Sequence, residues 1–181
     1  MLPDVQEIED LIARMALGNR RAFRDLYARS SAKLFGVVLR VLGDRGEAEE
    51  VLQEVFVKVW NNADRYRANG LSPMTWLIAI ARNAAIDRKR RNHAARPGDV
   101  LTETLPDAAP GPEAQAIRAS EREKLDGCFE ELEGRHAEAV QRAYLDGESY
   151  ADLAARFGVP LNTMRTWLRR SLLKLRECLS R

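Results

Sequence analysis

The stretch SYADLAARFGVPLNTMRTWLRRSLLKLRECLSR, residues 149–181, decides how the C-terminal part of the chain folds. Ala154 is small enough for a close helix crossing, and Gly158 follows where a tight turn takes a positive φ. Pro160 ends a first helix and suits the start of a second. Beyond it, apolar residues recur every three or four positions, as on one helix face: Met164, Leu168, Leu172 and Leu175. The pattern predicts a helix-turn-helix whose second helix enters the major groove of DNA.

The second helix of this motif is strongly basic. Five cationic side chains fall mostly off its apolar stripe: Arg165, Arg169, Arg170, Lys174 and Arg176. A helical hairpin with a merely solvated basic face has a similar outline. The small residue, the glycine and the basic helix occur together here, and this combination favours DNA binding.

Composition and charge limit the class of protein. The chain has 181 residues, of which 45% are hydrophobic and 31% charged, and its net charge is +2. The charges are unevenly placed: residues 82–91 hold five basic residues and one acid, and residues 161–181 hold six and one. Residues 43–56 hold five acids and one arginine. Two basic patches indicate contacts with a polyanion, and the acidic stretch indicates a contact with a protein.

Helical periodicity runs through most of the chain. We predict helices near 4–17, 21–42 with a break at Ser30 and Ser31, 47–61, 73–92, 113–133 and 135–145. Residues 96–112 contain four prolines and no helical period, which is typical of a flexible linker. No segment has the period of a strand. The predicted fold is all-α, with two small helical domains, 1–95 and 113–181, joined by the linker 96–112.

Several classes of function lack the residues they need. The two histidines are isolated, and the sequence contains no glycine-rich phosphate loop or nucleophile elbow. We therefore predict that the protein is not an enzyme and binds no metal or cofactor. Cys128 and Cys178 lie fifty residues apart with no metal-ligand spacing, and we interpret them as free thiols in a reducing cytoplasm. No signal peptide or long apolar run occurs, so we expect a cytoplasmic protein without membrane insertion.

Three segments, in order, carry a resemblance over nearly the whole chain. They are EAEEVLQEVFVKVW (47–60), SPMTWLIAIARNAAIDRKRR (72–91) and SYADLAARFGVPLNTMRTWLRR (149–170). Together they resemble bacterial RNA polymerase sigma factors of the extracytoplasmic-function (ECF) class. The resemblance implies that residues 1–95 form a region 2 domain, which binds core polymerase and recognises and melts the −10 element. It implies that residues 113–181 form a region 4 domain, which recognises the −35 element.

The same resemblance implies the partners of the protein. Glu50, Gln53 and Glu54 match positions that dock on a coiled coil of the largest catalytic subunit, and acids on one face suit a cationic partner. Without the flanking motifs, this face would be interpreted as a solvated helix surface. Core RNA polymerase, including the flap of its second largest subunit, promoter DNA and an anti-sigma factor are the implied partners.

Residues for promoter recognition are also implied by the resemblance. At the −10 element, Asn83 lines a pocket for a flipped base. The loop that caps this pocket contains Tyr66, Arg67, Asn69 and Ser72. The phosphates of the strand are held by a cationic track of Arg82, Arg88, Lys89, Arg90 and Arg91. At the −35 element, the contacting residues lie on the second helix of the helix-turn-helix: Asn162, Thr163, Arg165, Thr166, Arg169 and Arg170.

Two positions depart from the pattern of the family. Trp167 replaces a frequent arginine that contacts the DNA backbone, so either a phosphate contact is lost or a packing contact is gained. Glu133 stands where a Leu-Pro pair is common, so the start of the following helix is expected to differ from that of the family.

Two other classes of function remain as alternatives. One is a helix-turn-helix regulator with an N-terminal dimerisation or sensor domain, which would bind a palindrome without polymerase. The other is a recombinase-like DNA enzyme, for which the chain offers no plausible catalytic serine, tyrosine or acidic cluster.

Overall fold

The computed structural model describes residues 5–68, 70–95, 112–146 and 148–181, which are helical with short turns and contain no strand. The chain divides into two units, residues 1–104 and 105–181. The all-α, two-unit prediction is therefore confirmed. The predicted linker lies, except for Pro112, outside the described residues, and the domain boundaries 1–95 and 113–181 stay predictions.

Unit 1 is a bundle in which α2 packs against the other three helices. Its elements are α1 (Val5–Ala16), α2 (Arg20–Leu42), α3 (Arg45–Asn62), a 3-10 turn (Ala63–Arg65) and α4 (Pro73–Ala95). Periodic aliphatic residues meet in one core, which includes Ile8, Ile12, Leu26, Leu34, Val38, Val51, Val55, Val59, Leu77 and Ala81. Burial of this surface is the main stabilising term of the unit.

The predicted break at Ser30 and Ser31 is wrong, because α2 runs without interruption. Ser30 is fully buried, and its hydroxyl donates to the Leu26 carbonyl one turn earlier at 2.7 Å. A serine that bonds back to its own helix is satisfied without leaving the helical conformation.

The turn between α2 and α3 orients the acidic helix. Gly43 ends α2 with a left-handed φ of 74°, which favours glycine. Asp44 then caps α3 by accepting a hydrogen bond from the Glu47 amide at 2.8 Å. The two caps reverse the chain within two residues, so that α3 packs back against α2.

Unit 2 contains the predicted helix-turn-helix. Its elements are α5 (Pro112–Glu130), α6 (Gly134–Tyr144), α7 (Tyr150–Phe157) and α8 (Leu161–Leu179). Ser149 caps α7, and Gly158 ends it with a φ of 65°. Ala154 is buried where α7 and α8 pack together, as expected for a close crossing. The core of the unit is formed by residues that include Val140, Leu153, Met164, Leu168 and Leu175.

The prediction of free thiols is wrong in this structure. Cys128 of α5 and Cys178 of α8 form a disulfide, with their Cα atoms 5.8 Å apart. Both cysteines are buried where α5 packs against α8. Their spacing in sequence contains no information about this packing, which is why the pairing escaped the sequence analysis.

Candidate functional site

The acidic side of α3 forms a shallow surface groove. Glu50, Gln53 and Glu54, the three residues predicted to dock on polymerase, line it together with Val57 and Lys58. Val57 was missed by the sequence analysis, although it lies off the apolar stripe of α3 and is 59% exposed. An apolar residue among charges is the signal that could have identified it. The groove thus combines two carboxylates, an amide and one exposed apolar side chain.

One arginine of α4 holds both carboxylates of this groove. Arg88 donates from Nη1 to Glu50 Oε2 at 3.0 Å and from Nη2 to Glu54 Oε1 at 2.7 Å. Its side chain is only 17% exposed. Hydrogen bonds to Glu50 and Glu54 raise the pKa of Arg88, and burial opposes them. Arg88 is therefore a fixed cation between α3 and α4.

A second bridge extends the same helix contact. Asn92 Nδ2 donates to both carboxylate oxygens of Glu47, at 2.7 and 2.8 Å. Arg91 lies with Nη2 4.0 Å from Glu54 Oε2. The acidic face of α3 is therefore aligned against the cationic end of α4, a pairing that no local sequence pattern predicts.

The predicted DNA track along α4 divides into buried and exposed members. Arg82 is only 2% exposed and its terminal nitrogens are buried, which does not agree with a phosphate contact. Lys89, Arg90 and Arg91 are exposed. Asn83 is also exposed, and Arg90 lies seven positions later on the same side of the helix. An amide and a cation thus share one surface of α4.

The loop before α4 is tied to the rest of unit 1. The Tyr66 hydroxyl donates to Glu9 Oε1 at 2.9 Å, and the Tyr66 ring lies 5.3 Å from that of Trp76. Burial, followed by the interaction with Glu9, raises the pKa of Tyr66 to about 12. Trp76 is partly buried and packs against the core of unit 1.

Two other loop residues shape the backbone, and one cannot be placed. Arg67 Nη1 donates to the carbonyls of Asp64 and Tyr66, at 2.6 and 2.8 Å. Ser72 Oγ accepts from the Met74 amide at 3.3 Å, at the start of α4. Asn69 lies outside the described residues, so its predicted role stays a prediction.

The predicted −35 residues meet on the first half of α8. All are exposed except Thr163, which is half-buried: Asn162, Arg165, Thr166, Arg169 and Arg170. Arg165 Nη1 donates to Asn162 Oδ1 at 3.2 Å, and Thr166 Oγ1 donates to the Asn162 carbonyl at 2.9 Å. The structure therefore presents a polar and cationic helix face of the kind that reads base edges in the major groove.

The structure shows the surroundings of the two residues that depart from the family pattern. The Trp167 ring lies 4.4 Å from the ring of His136 and 6.2 Å from that of Phe157, so this position has gained a packing contact. Glu133 precedes α6 with a ψ of 136° and makes no side-chain capping bond. Its carboxylate instead lies 3.7 Å from His136 Nδ1. The helix still begins at Gly134.

The described part of the chain shows neither a candidate metal site nor a membrane-spanning helix. No group of three or more histidine, cysteine, aspartate or glutamate residues there is arranged to hold a metal ion. None of the described helices is both long and apolar enough to cross a bilayer.

Comparison with known families follows the same division of the chain. Residues 26–95 match the family model of sigma-70 region 2, and residues 122–175 match that of sigma-70 region 4. The two matches, in this order, define a transcription initiation factor of the sigma-70 class.

Curated relatives give the narrower family. The chain is 32% identical over 178 residues to the ECF RNA polymerase sigma factor SigK of Mycolicibacterium vanbaalenii, covering 96% of this chain and 89% of the relative. It is also 32% identical over 182 residues to SigK of Mycobacterium ulcerans, covering 96% and 94%. The chain belongs to the ECF family of RNA polymerase sigma factors, which confirms the resemblance stated from the motifs.

A solved structure is also similar. It is the sigma factor RpoE in complex with the anti-sigma factor NepR from Bartonella quintana, with 20% identity and a TM-score of 0.42. The match covers 87% of this chain and 96% of that one.

Proposed function

We propose that this sigma factor docks on core RNA polymerase through the groove of α3, anchors the −35 element with α8, and captures and opens the −10 element along α4. One observation carries the proposal. A single cation, Arg88, fixes both docking carboxylates from the same helix that presents Asn83 to solvent. Polymerase docking and strand capture are thus built on two helices in direct contact.

The docking groove suits a cationic helical partner. Glu50 and Glu54 provide two charges at a fixed spacing, and Val57 provides apolar contact area in the same groove, which Lys58 also lines. Such a combination of an apolar centre and charged surroundings is typical of protein interfaces. The coiled coil of the largest catalytic subunit is the proposed partner, and the flap of the second largest subunit is proposed for unit 2.

For strand opening, we assign roles by exposure. Asn83 would hydrogen-bond a flipped base, while Lys89, Arg90 and Arg91 would hold the phosphates of the single strand. Tyr66, Arg67 and Ser72 would shape the loop that caps the base pocket. We leave Arg82 out of this track because it is buried, and we assign Arg88 to the docking face because it bonds Glu50 and Glu54.

For the −35 element, the exposed arginines of α8 are the proposed base readers. Arg165, Arg169 and Arg170 can each bond a guanine edge through two donors. Thr166 uses its hydroxyl within the helix, so it can offer its methyl group to a thymine.

The wider setting follows from these assignments. The protein acts as a specificity factor and not as an enzyme, in the cytoplasm and without a cofactor. We further propose that an anti-sigma factor controls the protein by covering the docking groove or α8. Initiation requires both surfaces to be accessible, so covering one of them is enough to prevent it.

Run-off transcription with purified core polymerase tests the proposal. Wild-type protein should give a promoter-specific transcript, and Glu50→Gln combined with Glu54→Gln should abolish most of it. Glu49→Gln is the matched control, because Glu49 lies on the same helix but pairs with Arg45 and does not line the groove. If the protein binds a palindrome by itself and no native upstream fragment is transcribed, the alternative of a polymerase-independent regulator is correct.

A further inference from the structure

Arg135 is an exposed cation that stacks against aromatic side chains of α7 and α8. It lies in the first turn of α6, and its guanidinium carbon is 5.4 Å from the centre of the Trp167 ring and 5.7 Å from that of Phe157. Its Nη2 donates to the Phe157 carbonyl at 2.8 Å. Two aromatic rings and one hydrogen bond therefore hold a charge that still faces solvent. Neither the motifs of the sequence nor its charge runs single out this residue.

The position of Trp167 places this charge beside the surface that reads DNA. Thr163 lies one turn before Trp167 on α8, and Arg170 lies one turn after it. Both belong to the proposed −35 contacts. A group that rests on Trp167 consequently flanks the DNA-facing side of the helix.

The geometry of the major groove places a DNA backbone beside this flank of the helix. The groove is about 12 Å wide, so a helix of about 10 Å diameter that lies in it has a sugar-phosphate strand along each side. A guanidinium with one donor already bonded to protein retains others that can bind a phosphate. Stacking on the rings also reduces the rotamer entropy lost when it does so.

We propose that Arg135 binds a backbone phosphate of the −35 duplex, with Trp167 and Phe157 as the platform that positions it. The inference rests on the proposed role of α8 in −35 recognition. It assigns a DNA contact to α6, outside the helix-turn-helix. Trp167 is a positioning residue, because it acts on DNA through Arg135.

The salt dependence of promoter binding distinguishes this role from packing. Holoenzyme binding to a promoter fragment is measured across a potassium chloride series for the wild type, Arg135→Gln, Arg135→Lys and Trp167→Phe. Arg135→Gln should weaken binding on the order of fivefold at physiological salt and reduce the slope of log K against log salt by about 1. Arg135→Lys should keep the wild-type slope. Trp167→Phe should lose little binding affinity, because phenylalanine still provides an aromatic ring for Arg135.

A matched control removes an arginine elsewhere in unit 2. Arg122→Gln also removes one positive charge, but from α5. Arg122 lies near the C-terminal end of α8, because its neighbour Lys124 donates to the Leu179 carbonyl. Arg122→Gln should leave the slope unchanged. A wild-type slope for Arg135→Gln would overturn the phosphate contact, and a changed preference for −35 bases would make Arg135 a base reader. If the wild-type holoenzyme fails to distinguish a native from a scrambled −35 element, the proposed role of α8 fails instead.

Discussion

Arg88 shows how one side chain can change roles between sequence and structure. In the sequence it belongs to a basic run that suits phosphate binding. In the folded protein its two terminal nitrogens donate to Glu50 and Glu54, and less than a fifth of the side chain is exposed. A cation bonded twice to carboxylates orders them for a partner more readily than it reaches a phosphate.

We predict that Arg88→Gln weakens the assembly of holoenzyme by about 1 kcal/mol, since both carboxylates lose their fixed positions while remaining charged. This corresponds to about a fivefold rise in Kd, measured by titration of labelled core polymerase. Lys89→Gln, an exposed neighbour on the same helix, should affect single-strand DNA binding and leave assembly intact. If Arg88→Gln instead weakened single-strand DNA binding and left assembly intact, Arg88 would be a DNA contact.

Tyr66 gives a prediction on pH. Its pKa is raised to about 12 from 10.0 in the unfolded chain, because burial and Glu9 disfavour the phenolate. The native state then holds this proton more tightly, so its contribution to stability is complete below pH 10 and is lost as pH rises towards 12. Urea unfolding between pH 9 and 12 should show this loss in the wild type and less of it in Tyr66→Phe. Tyr27→Phe, also in unit 1, should behave like the wild type.

At the scale of elements, helix pairing explains the main differences from the sequence analysis. α3 and α4 were predicted correctly as amphipathic helices, but their mutual alignment makes the ion pairs of Arg88 and the bond of Asn92 to Glu47. In the same way, the packing of α5 on α8 brings Cys128 to Cys178. Periodicity predicts which face of a helix is buried, whereas it contains no register between two helices.

Reduction of the disulfide should destabilise unit 2. A cross-link that closes a loop of fifty residues lowers the entropy of the unfolded chain and is worth about 2–4 kcal/mol. We expect reductant to lower the urea midpoint of unit 2, with faster hydrogen exchange in α5–α8 and unchanged exchange in α1–α4. The Cys128→Ser, Cys178→Ser double variant should be insensitive to reductant. Equal exchange with and without reductant in the wild type would contradict this role.

For the whole molecule, the presence of two units supports the proposed division of labour on the promoter. Unit 1 carries the docking groove and the exposed Asn83, and unit 2 carries the exposed arginines of α8. Since the proposed duplex anchor and the proposed strand-opening surface lie in different units, loss of duplex binding and loss of strand opening should be separable.

We therefore predict that Asn83→Ala reduces promoter opening far more than duplex −35 binding. Arg169→Ala should do the reverse, with a cost of about 1–3 kcal/mol confined to particular −35 bases. Opening is measured by the fluorescence of 2-aminopurine in the −10 element, and duplex binding by anisotropy. Equal losses of both activities in both variants would argue against separate roles.

The sequence alone determined the helices, the helix-turn-helix, the family and most of the surface residues of the proposed sites. These depend on local periodicity, on turn residues such as Gly158, and on motifs read in order. Only the tertiary structure decided which charged side chains can contact DNA or a partner protein. It buried Arg82, joined Arg88 to Glu50 and Glu54, and stacked Arg135 on Trp167. The physical reason is that charge pairing and burial depend on distances between helices far apart in the chain, which no local pattern encodes.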